Sequence, residues 1–178
     1  MKTIDLSRWA RRQHFVPNLR DRNLDYPHYF PTANVNISRL IQVAKEKQLS
    51  VFHAILYVVM QTANEIQEFR YRIRGDSIVE AATLSVKGAP VIADELGCDD
   101  RIYITSIPWL SFTRVSRPIH MHPTDSVPRI AWGKFIQNGE QISPPLSVQV
   151  HHALADGVHV AKFSSRFEEN CRRCLGLF

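Results

Sequence analysis

The stretch His-His-Ala-Leu-Ala-Asp-Gly at positions 151–157 constrains the fold more than any other part of the chain. It follows residues 146–150, where apolar and polar side chains alternate as in a half-buried strand. It precedes a helical pattern whose apolar positions are Val160, Phe163, Phe167 and Cys171. Two histidines therefore stand where a strand ends and a turn begins. A strand end is a rigid platform that can aim a side chain into a cleft, and histidine suits proton transfer near neutral pH.

The composition favours one folded domain. With 178 residues and 44% hydrophobic content, the chain can bury a full core, and we expect a single domain over residues 1–178. The most apolar stretch, residues 51–60, contains His53 and is too short to cross a bilayer. Residues 1–5 contain no apolar signal core. We therefore expect a cytoplasmic protein that does not act on a membrane.

The net charge of +5 is mildly basic and bears on the choice of partners. The arginines cluster locally at Arg11, Arg12, Arg20 and Arg22, and again at Arg70, Arg72 and Arg74. Neither cluster has the interleaved aromatic and glycine residues of an RNA-binding sheet, so nucleic acid is not predicted as a partner and stays a minor alternative. A polyanionic small ligand fits the charge balance equally well.

Periodicity along the chain predicts an α+β fold in which two or three helices pack on a largely antiparallel or mixed sheet. A short amphipathic segment covers residues 7–15, and helices are predicted at residues 38–47, 51–66 and 157–174. Extended segments are predicted at residues 69–74, 77–79, 82–86, 101–106, 129–136 and 141–150. Gly75-Asp76 and Asn138-Gly139 read as hairpin turns. Residues 18–31 are predicted as loop or edge, and residues 108–112 as a bend.

Four colinear stretches resemble segments of the chloramphenicol acetyltransferase family. Residues 149–163 resemble its active-site signature, H-H-x-x-x-D-G-x-H on a strand-to-helix turn. Residues 9–15 resemble its N-terminal tryptophan–arginine–histidine–phenylalanine segment, and residues 108–113 its proline–tryptophan loop. The fourth stretch combines Gly-Lys-Phe at 133–135, the Asn138-Gly139 turn and residues 145–150. A lone H-H-x-x-x-D-G would be moderately specific, whereas four ordered matches specify a fold.

The resemblance implies the two-layer fold of CoA-dependent acyltransferases, a mixed sheet packed with helices. It also implies a homotrimer whose active site lies between neighbouring subunits, with acetyl-CoA entering one end of a tunnel and an acceptor alcohol the other. The activity it implies is CoA-dependent O-acetyl transfer from acetyl-CoA, as co-substrate, to a hydroxyl of a small molecule. No metal is expected.

The resemblance also assigns roles by position. His152 corresponds to the general base that takes the acceptor's hydroxyl proton. Asp156 corresponds to a carboxylate that pairs with an N-terminal arginine, here Arg11, to hold the turn that aims the base. If that pair is buried, removing one partner is expected to cost about 3–5 kcal/mol.

The remaining roles concern the oxyanion and the co-substrate. The family places a serine hydroxyl four residues before the loop tryptophan, as donor to the oxyanion of the tetrahedral intermediate. Thr105 occupies that position here, and Ser106 takes the role if the register shifts by one residue. One such donor is worth roughly 3 kcal/mol. Lys134 matches a lysine near the CoA site, where an ammonium suits a phosphate.

Three departures separate the chain from the family pattern. It is shortened internally near residues 90–101, where a longer segment helps to wall the site. Aromatic acceptor-pocket residues are replaced by Pro17 and Asn18, and a threonine that holds an ordered water corresponds to Ala131. We expect such a site to bind chloramphenicol poorly and to suit a larger or different alcohol.

Other interpretations of the same residues stay open. A catalytically impaired member would keep the fold and act as a binding module for a small molecule or a protein. His120 and His122, with His151 and His152, have weak metal-ligand spacing. The sequence favours a structural role for His151, packing or capping for His159, a packed core position for Trp109, and core-facing thiols at Cys171 and Cys174.

Overall fold

The computed structural model describes residues 1–15, 26–85, 100–120 and 124–174. Its strands are β1 (Lys2–Thr3), β2 (His28–Tyr29), β3 (Thr32–Asn34), β4 (Tyr71–Arg74), β5 (Ser77–Glu80), β6 (Tyr103–Ser106), β7 (Arg129–Trp132), β8 (Ile136–Asn138), β9 (Gln141–Ser143) and β10 (Pro145–His151). Its helices are α1 (Arg12–Phe15), α2 (Ser38–Glu46), α3 (Val51–Glu65) and α4 (Gly157–Arg172), and a 3-10 turn covers Gln67–Arg70.

Strand β10 is the centre of the main sheet, whose order is β2-β10-β7-β6 with β3 also beside β10. The pairs of β10 with β2, β3 and β7 are antiparallel, whereas β6 joins β7 in parallel. Strand β10 has hydrogen-bonded neighbours on both sides, and every one of its residues is buried. The last residue of this strand, His151, therefore ends a segment fixed along its whole length.

Helices α2, α3 and α4 cover one face of this sheet. Alternate residues of β10 (Leu146, Val148 and Val150) join the main hydrophobic core, and Ile130 and Trp132 of β7 join it from the same face. The largest fully buried side chains of this core include Trp132, Phe69, Phe163, Phe167, Leu40 and Ile55. Each such burial contributes about 2 kcal/mol of transfer free energy, which anchors the helices to the sheet.

A second, smaller layer packs at the end of β10. Strands β1, β5 and β4 form a separate antiparallel sheet. Its buried residues Tyr71, Ile73 and Ile78 form a cluster with Ala153 and Leu154 of the turn that follows β10. The Trp9 ring meets Tyr71 edge to face at 5.6 Å between centroids. The turn that carries the paired histidines is thus buried against this second cluster.

The helix predictions are confirmed with small changes at the ends. Helix α2 ends at Glu46, α3 at Glu65 and α4 at Arg172. The predicted apolar face of α4 is buried. Residues 51–66 are apolar on most sides, which predicts a central buried helix, and this prediction is wrong. Helix α3 buries one side only, and Phe52 and Tyr57 on its other side are 45% and 47% exposed.

Both predicted hairpins are present, and the second differs in its turn. Gly75, between β4 and β5, has φ +55°, which favours glycine. Between β8 and β9 the strand residues Asn138 and Gln141 pair directly, so the turn residues are Gly139 and Glu140. Gly139 alone supplies the positive φ of +60°, and Asn138 completes the strand.

Three other predictions need correction. Residues 82–85 form no strand and contribute one isolated bridge, Ser85 to Arg101. The extended run predicted for residues 129–136 divides into β7 and β8. Trp109 was predicted in the core, and this is wrong, because no described part of the chain covers its ring, which is 85% exposed. Pro17, Asn18 and the shortening near residues 90–101 fall on segments largely outside the described residues.

Candidate active site

The turn after β10 is held by hydrogen bonds within its own backbone and by one to Pro27, the residue that precedes β2. The His152 N–H donates to the Pro27 carbonyl at 2.7 Å. The N–H groups of Leu154 and Ala155 both donate to the His151 carbonyl, at 2.9 and 3.0 Å. His152 itself is half-buried and its ring lies 6.0 Å from that of Tyr29. The backbone that carries the predicted base is therefore fixed while its imidazole stays partly accessible.

Arg11 fastens this turn from the N-terminal segment. Its Nη1 donates to Asp156 Oδ2 at 2.7 Å, its Nη2 to the His152 carbonyl at 2.7 Å and its Nε to the Ala153 carbonyl at 3.3 Å. The Arg11 side chain is 9% exposed and that of Asp156 is 24% exposed. The predicted ion pair is thus present, and the same guanidinium also binds the carbonyl of the candidate base.

Asp156 serves as the N-cap of helix α4. Its Oδ1 accepts from the Val158 N–H at 3.1 Å, and its own N–H donates to His159 Nδ1 at 3.1 Å, which completes a capping box. Burial disfavours the ionised carboxyl, but the hydrogen bond and charge of Arg11 outweigh it and lower the pKa of Asp156 to about 2. The predicted capping role of His159 is confirmed.

His151 is buried beside a second histidine that the sequence analysis missed. His28 of β2 is its register partner, and the two rings lie 5.1 Å apart. Burial lowers the pKa of His151 to about 3 and that of His28 to about 4, with Asp125 opposing the shift in both cases. His151 Nδ1 accepts from the Ala153 N–H at 3.2 Å. Both rings are therefore neutral, and the structural role predicted for His151 fits its 1% exposure.

Strand alternation separates the two candidate oxyanion donors. Ile104 of β6 packs against the core beneath the helices, so Thr105 projects to the opposite face and Ser106 to the helix side. Thr105 is exposed and its register partners across the sheet are Ala131 of β7 and then Ser147 of β10. Of the two hydroxyls, Thr105 is the one on the sheet face opposite the helices. This helix-free face, called the free face, also carries Ser147, Gln149 and His151 of β10, which other segments bury.

Lys134 lies at the same end of the sheet as Thr105. Its N–H donates to the Leu110 carbonyl at 2.9 Å, and its side chain is exposed. The preceding Gly133 has no room for a side chain, because a Cβ there would lie 2.6 Å from the Leu110 carbonyl oxygen and 2.8 Å from Pro145. This close approach seats the loop that carries exposed Trp109 against the end of β7.

The predicted residues form two groups at opposite ends of β10. His152 follows Ser147 by five positions, which is about 17 Å along the strand, and Thr105 is two strand spacings, about 10 Å, to the side. Arg11, Asp156 and His152 form the first group. Thr105, Ser106 and Lys134 form the second. One chain therefore does not bring the candidate base and the candidate oxyanion donor together.

Between these groups the free face of the sheet carries a polar cluster that the sequence analysis did not find. Arg129 donates to both carboxylate oxygens of Asp125 and lies over the Tyr103 ring at 5.0 Å. Gln149, the register partner of Arg129, receives the Arg117 N–H at 2.9 Å on its Oε1. The sequence signal that bears on this cluster is the alternation of Ser147, Gln149 and His151 along β10, which predicts a strand with one face exposed to solvent. In the structure residues 115–117 cover part of that polar face.

The structure also bears on the alternative interpretations of the sequence, namely a basic surface, a metal site and a redox pair of cysteines. The second arginine cluster is no continuous basic surface, since Arg72 is fully buried and Arg70 pairs with Glu80 at 2.7 Å. Arg20, Arg22 and His122 lie outside the described residues. Within the described ranges no three His, Cys, Asp or Glu side chains are grouped to hold a metal ion, and no helix there is long and apolar enough to cross a membrane. Cys171 and Cys174 are buried free thiols.

Comparisons with known proteins agree with the residue pattern. The family model described as chloramphenicol acetyltransferase matches residues 1–85 and 91–168. Chloramphenicol acetyltransferase 3 of Escherichia coli is 25% identical over 97% of both chains, and chloramphenicol acetyltransferase of Clostridium perfringens is 27% identical over 93% of this chain and 92% of its own. A solved chloramphenicol acetyltransferase structure superposes with a TM-score of 0.79 at 24% identity, over 93% of this chain and 97% of the other. The predicted fold and acetyltransferase class are confirmed, and the chain belongs to the chloramphenicol acetyltransferase family.

Proposed function

We propose that this protein is a CoA-dependent O-acetyltransferase that transfers an acetyl group from acetyl-CoA to a hydroxyl of a small molecule, with His152 as the general base. The observation that carries the proposal is the support of the His152 turn. Arg11 binds the His152 carbonyl and the Asp156 carboxylate, and the Pro27 carbonyl receives the His152 N–H. A fixed backbone with a partly accessible imidazole is the arrangement that general-base catalysis requires.

The proposed reaction balances around one imidazole. The His152 imidazole takes the proton of the acceptor hydroxyl as the hydroxyl oxygen attacks the thioester carbonyl carbon. The carbonyl oxygen becomes an oxyanion, which the Thr105 hydroxyl stabilises by donating a hydrogen bond, and Ser106 is the second candidate. Collapse breaks the carbon–sulfur bond, and the imidazolium returns its proton to the leaving CoA thiolate. Exposed Lys134 is the proposed contact for a CoA phosphate.

We further propose that the active site is built from two chains of a homotrimer. The separation of His152 from Thr105 within one chain supports this assembly, because the strand register keeps base and oxyanion donor at opposite ends of β10. In a closed ring of identical subunits, one chain's His152 meets the next chain's Thr105. A single cytoplasmic domain is part of the same proposal.

The test of the base compares His152→Ala with His53→Ala, which removes an exposed histidine on helix α3. Release of CoA thiol from acetyl-CoA is followed over a panel of alcohols. We expect His152→Ala to lower kcat by about 10²–10⁴-fold and His53→Ala to leave it unchanged. Equal rates for wild type and His152→Ala with every acceptor would reject the proposed mechanism. Tight acetyl-CoA binding without turnover would instead favour the binding module.

The shared site has its own test. His152→Ala and Thr105→Val proteins are unfolded together, refolded as a mixture and compared with each variant refolded alone. If base and oxyanion donor come from different chains, about a quarter of the interfaces in a random mixture regain both groups, and activity recovers in proportion. Mixtures no more active than the separate variants would place both groups in one chain.

A further inference from the structure

Arg117 is positioned by the sheet although it lies in a loop. Its backbone N–H donates to Gln149 Oε1 at 2.9 Å, and its carbonyl receives Gln149 Nε2 at 3.4 Å. One buried glutamine side chain thus holds the backbone of residue 117 from both sides. Gln149 is 2% exposed and lies in the middle of β10. The guanidinium therefore starts from a fixed point on the free face of the sheet.

The Arg117 guanidinium has no hydrogen-bond acceptor within the part of the chain that the structure describes. Among the described residues none accepts a hydrogen bond from it or forms an ion pair with it, and its Nη2 is closed off from solvent without a partner. Burial, followed by the charge of Arg129, lowers the pKa of Arg117 to about 10, so it remains charged at neutral pH. A half-buried cation without a counter-charge is unfavourable unless an anion joins it.

The neighbouring charges leave Arg117 uncompensated. Asp125 is the carboxylate of this cluster, and both of its oxygens bind Arg129. The buried His28 and His151 are neutral, so they neither add nor remove charge near pH 7. The cluster as described carries one surplus positive charge, that of Arg117.

Arg72 offers an internal contrast. It is also charged and buried, and among the described residues no carboxylate pairs with it. Its guanidinium, however, donates to the carbonyls of Phe69, Tyr71 and Arg101 at 2.6–2.8 Å. Arg72 therefore joins backbone segments, and both of its Nη atoms already have hydrogen-bond acceptors within the protein. No described residue provides such carbonyl acceptors for the Arg117 guanidinium.

The location of Arg117 relates it to the proposed reaction. Its anchor Gln149 lies two strands from Tyr103, and Thr105 follows Tyr103 by two residues on the same free face. The backbones of Gln149 and Thr105 are therefore about 12 Å apart. An acceptor whose hydroxyl lies near Thr105 and which extends along this face therefore points its far end toward Gln149, where the backbone of Arg117 is anchored.

We infer that Arg117 is a specificity-determining residue that binds an oxyanion group, a carboxylate or a phosphate monoester, on the acceptor alcohol. The identification of the ligand as the acceptor rests on the proposed function. A guanidinium is the natural partner, because its fork of N–H donors matches either anion in bidentate geometry. When the anionic alcohol binds, its negative charge neutralises the surplus charge of Arg117, and its oxygens accept the hydrogen bonds of the guanidinium.

The test uses three alcohols that differ in one substituent: p-(hydroxymethyl)benzoate, p-(hydroxymethyl)phenyl phosphate and the neutral p-(hydroxymethyl)benzamide. Calorimetric titration measures their Kd values, which do not depend on turnover. Wild type is expected to bind at least one anionic probe about 10- to 100-fold more tightly than the amide. The order of benzoate and phosphate identifies the preferred anion.

Variants separate the Arg117 site from general electrostatics. Arg117→Gln is expected to remove the preference while leaving the amide Kd unchanged, and Arg117→Lys to retain part of it, because it keeps the charge without the fork. The matched control is Arg114→Gln, an exposed arginine of the same segment. Equal binding of all probes by wild type, no binding of any, or an equal loss in Arg114→Gln overturns the inference.

CoA release with the same probes distinguishes the two proposals. Turnover of neutral alcohols without any anionic preference in binding rejects the Arg117 assignment and leaves the acetyltransferase proposal standing. Arg117-dependent anion binding without turnover of any probe or of any alcohol in the panel rejects the acetyltransferase proposal and leaves an oxyanion site. If a second copy supplies a carboxylate to Arg117, then Arg117→Gln changes the oligomeric state and not the probe preference, which also overturns the assignment.

Discussion

Arg11 and Arg117 both lie against the chain that forms or follows β10, and both are drawn out of solvent, yet their surroundings differ. Arg11 meets one carboxylate and two carbonyls, and all three of its nitrogens donate at 2.7–3.3 Å. The Arg117 guanidinium is repelled by the charge of a second arginine, Arg129, and among the described residues it has no hydrogen-bond acceptor. The two sites share one residue type and one sheet, and they differ in whether the protein supplies the partners.

This difference distinguishes an arginine that stabilises the fold, Arg11, from one that is proposed to bind a ligand, Arg117. A fully partnered guanidinium stabilises the folded chain and has no donor left for a small molecule, as Arg11 does beneath the His152 turn. A guanidinium held in place without partners costs stability and keeps its donors available. The acyl-transfer proposal draws on both, since the first aims the base and the second selects the acceptor.

Arg11→Met should give the largest loss of stability. It leaves the Asp156 carboxylate and the carbonyls of His152 and Ala153 without their donor, so we expect a loss of about 3 kcal/mol in the free energy of unfolding. Urea denaturation measures it. The double variant Arg11→Met/Asp156→Leu should lose less than the sum of the single changes, because neither charge is then left alone. Additive losses would show that the two side chains do not act as a pair.

Acid should weaken the fold in two separate steps. His28 and His151 have folded pKa values of about 4 and 3, below the ordinary 6.5, so between pH 6.5 and about 4 the unfolded chain binds more protons and stability falls as pH falls. The slope is about 1 kcal/mol per pH unit for each ring. Asp156, with a folded pKa of about 2, loses its contribution only below its ordinary 3.8.

Variants assign each acid step to its residue. Urea midpoints are measured from pH 7 to about pH 2, so that the range includes the whole titration of Asp156. His28→Phe is expected to flatten the upper window, and Arg11→Met the lower, whatever either change does to the stability at pH 7. An unchanged slope in the upper window of His28→Phe would mean that other groups take up the protons there.

The sequence predicted the helices, turns and the 151–157 segment better than the surroundings of Arg117. The reason is that the former depend on residues adjacent in sequence, whereas the latter depend on residues far apart in sequence. The helix α4 pattern, the Gly75 turn and the 151–157 segment are each written in neighbouring residues, so periodicity and turn chemistry identify them. The Arg11 pair spans most of the chain and was found only through a family resemblance. The Arg117–Gln149 contact joins residues 32 positions apart and has no local signal.

The polar face of β10 and the Trp109 side chain show the same limit. Alternation in residues 146–150 correctly predicts one apolar face of β10, but it cannot tell whether the polar face meets water or another segment. Trp109 was predicted in the core because tryptophan is highly buried on average, yet it is 85% exposed. Burial of such residues is decided by what packs over them, including other copies of the chain, and not by their own neighbours in sequence.

Arg117→Met should have a smaller effect on stability and the opposite sign. Removing a half-buried charge that has no partner relieves a desolvation cost, so we expect the free energy of unfolding to rise by about 1 kcal/mol. Urea denaturation is measured beside the probe titrations. A gain in stability together with a loss of anionic preference is the signature of a ligand site. A loss of stability would mean that Arg117 has a structural partner in the assembled protein.

Arg166→Gln should have the smallest effect. Arg166 also binds two carboxylates, Glu65 and Glu169, both at 2.6 Å, but its side chain is 48% exposed. Solvent screens such pairs and the long side chains lose entropy when they are ordered, so we expect no resolvable change in the urea midpoint. The measurement is made at low and at high salt beside Arg11→Met. A loss for Arg166→Gln as large as that for Arg11→Met would mean that the number of carboxylate contacts, rather than burial of the guanidinium, decides the strength of these pairs.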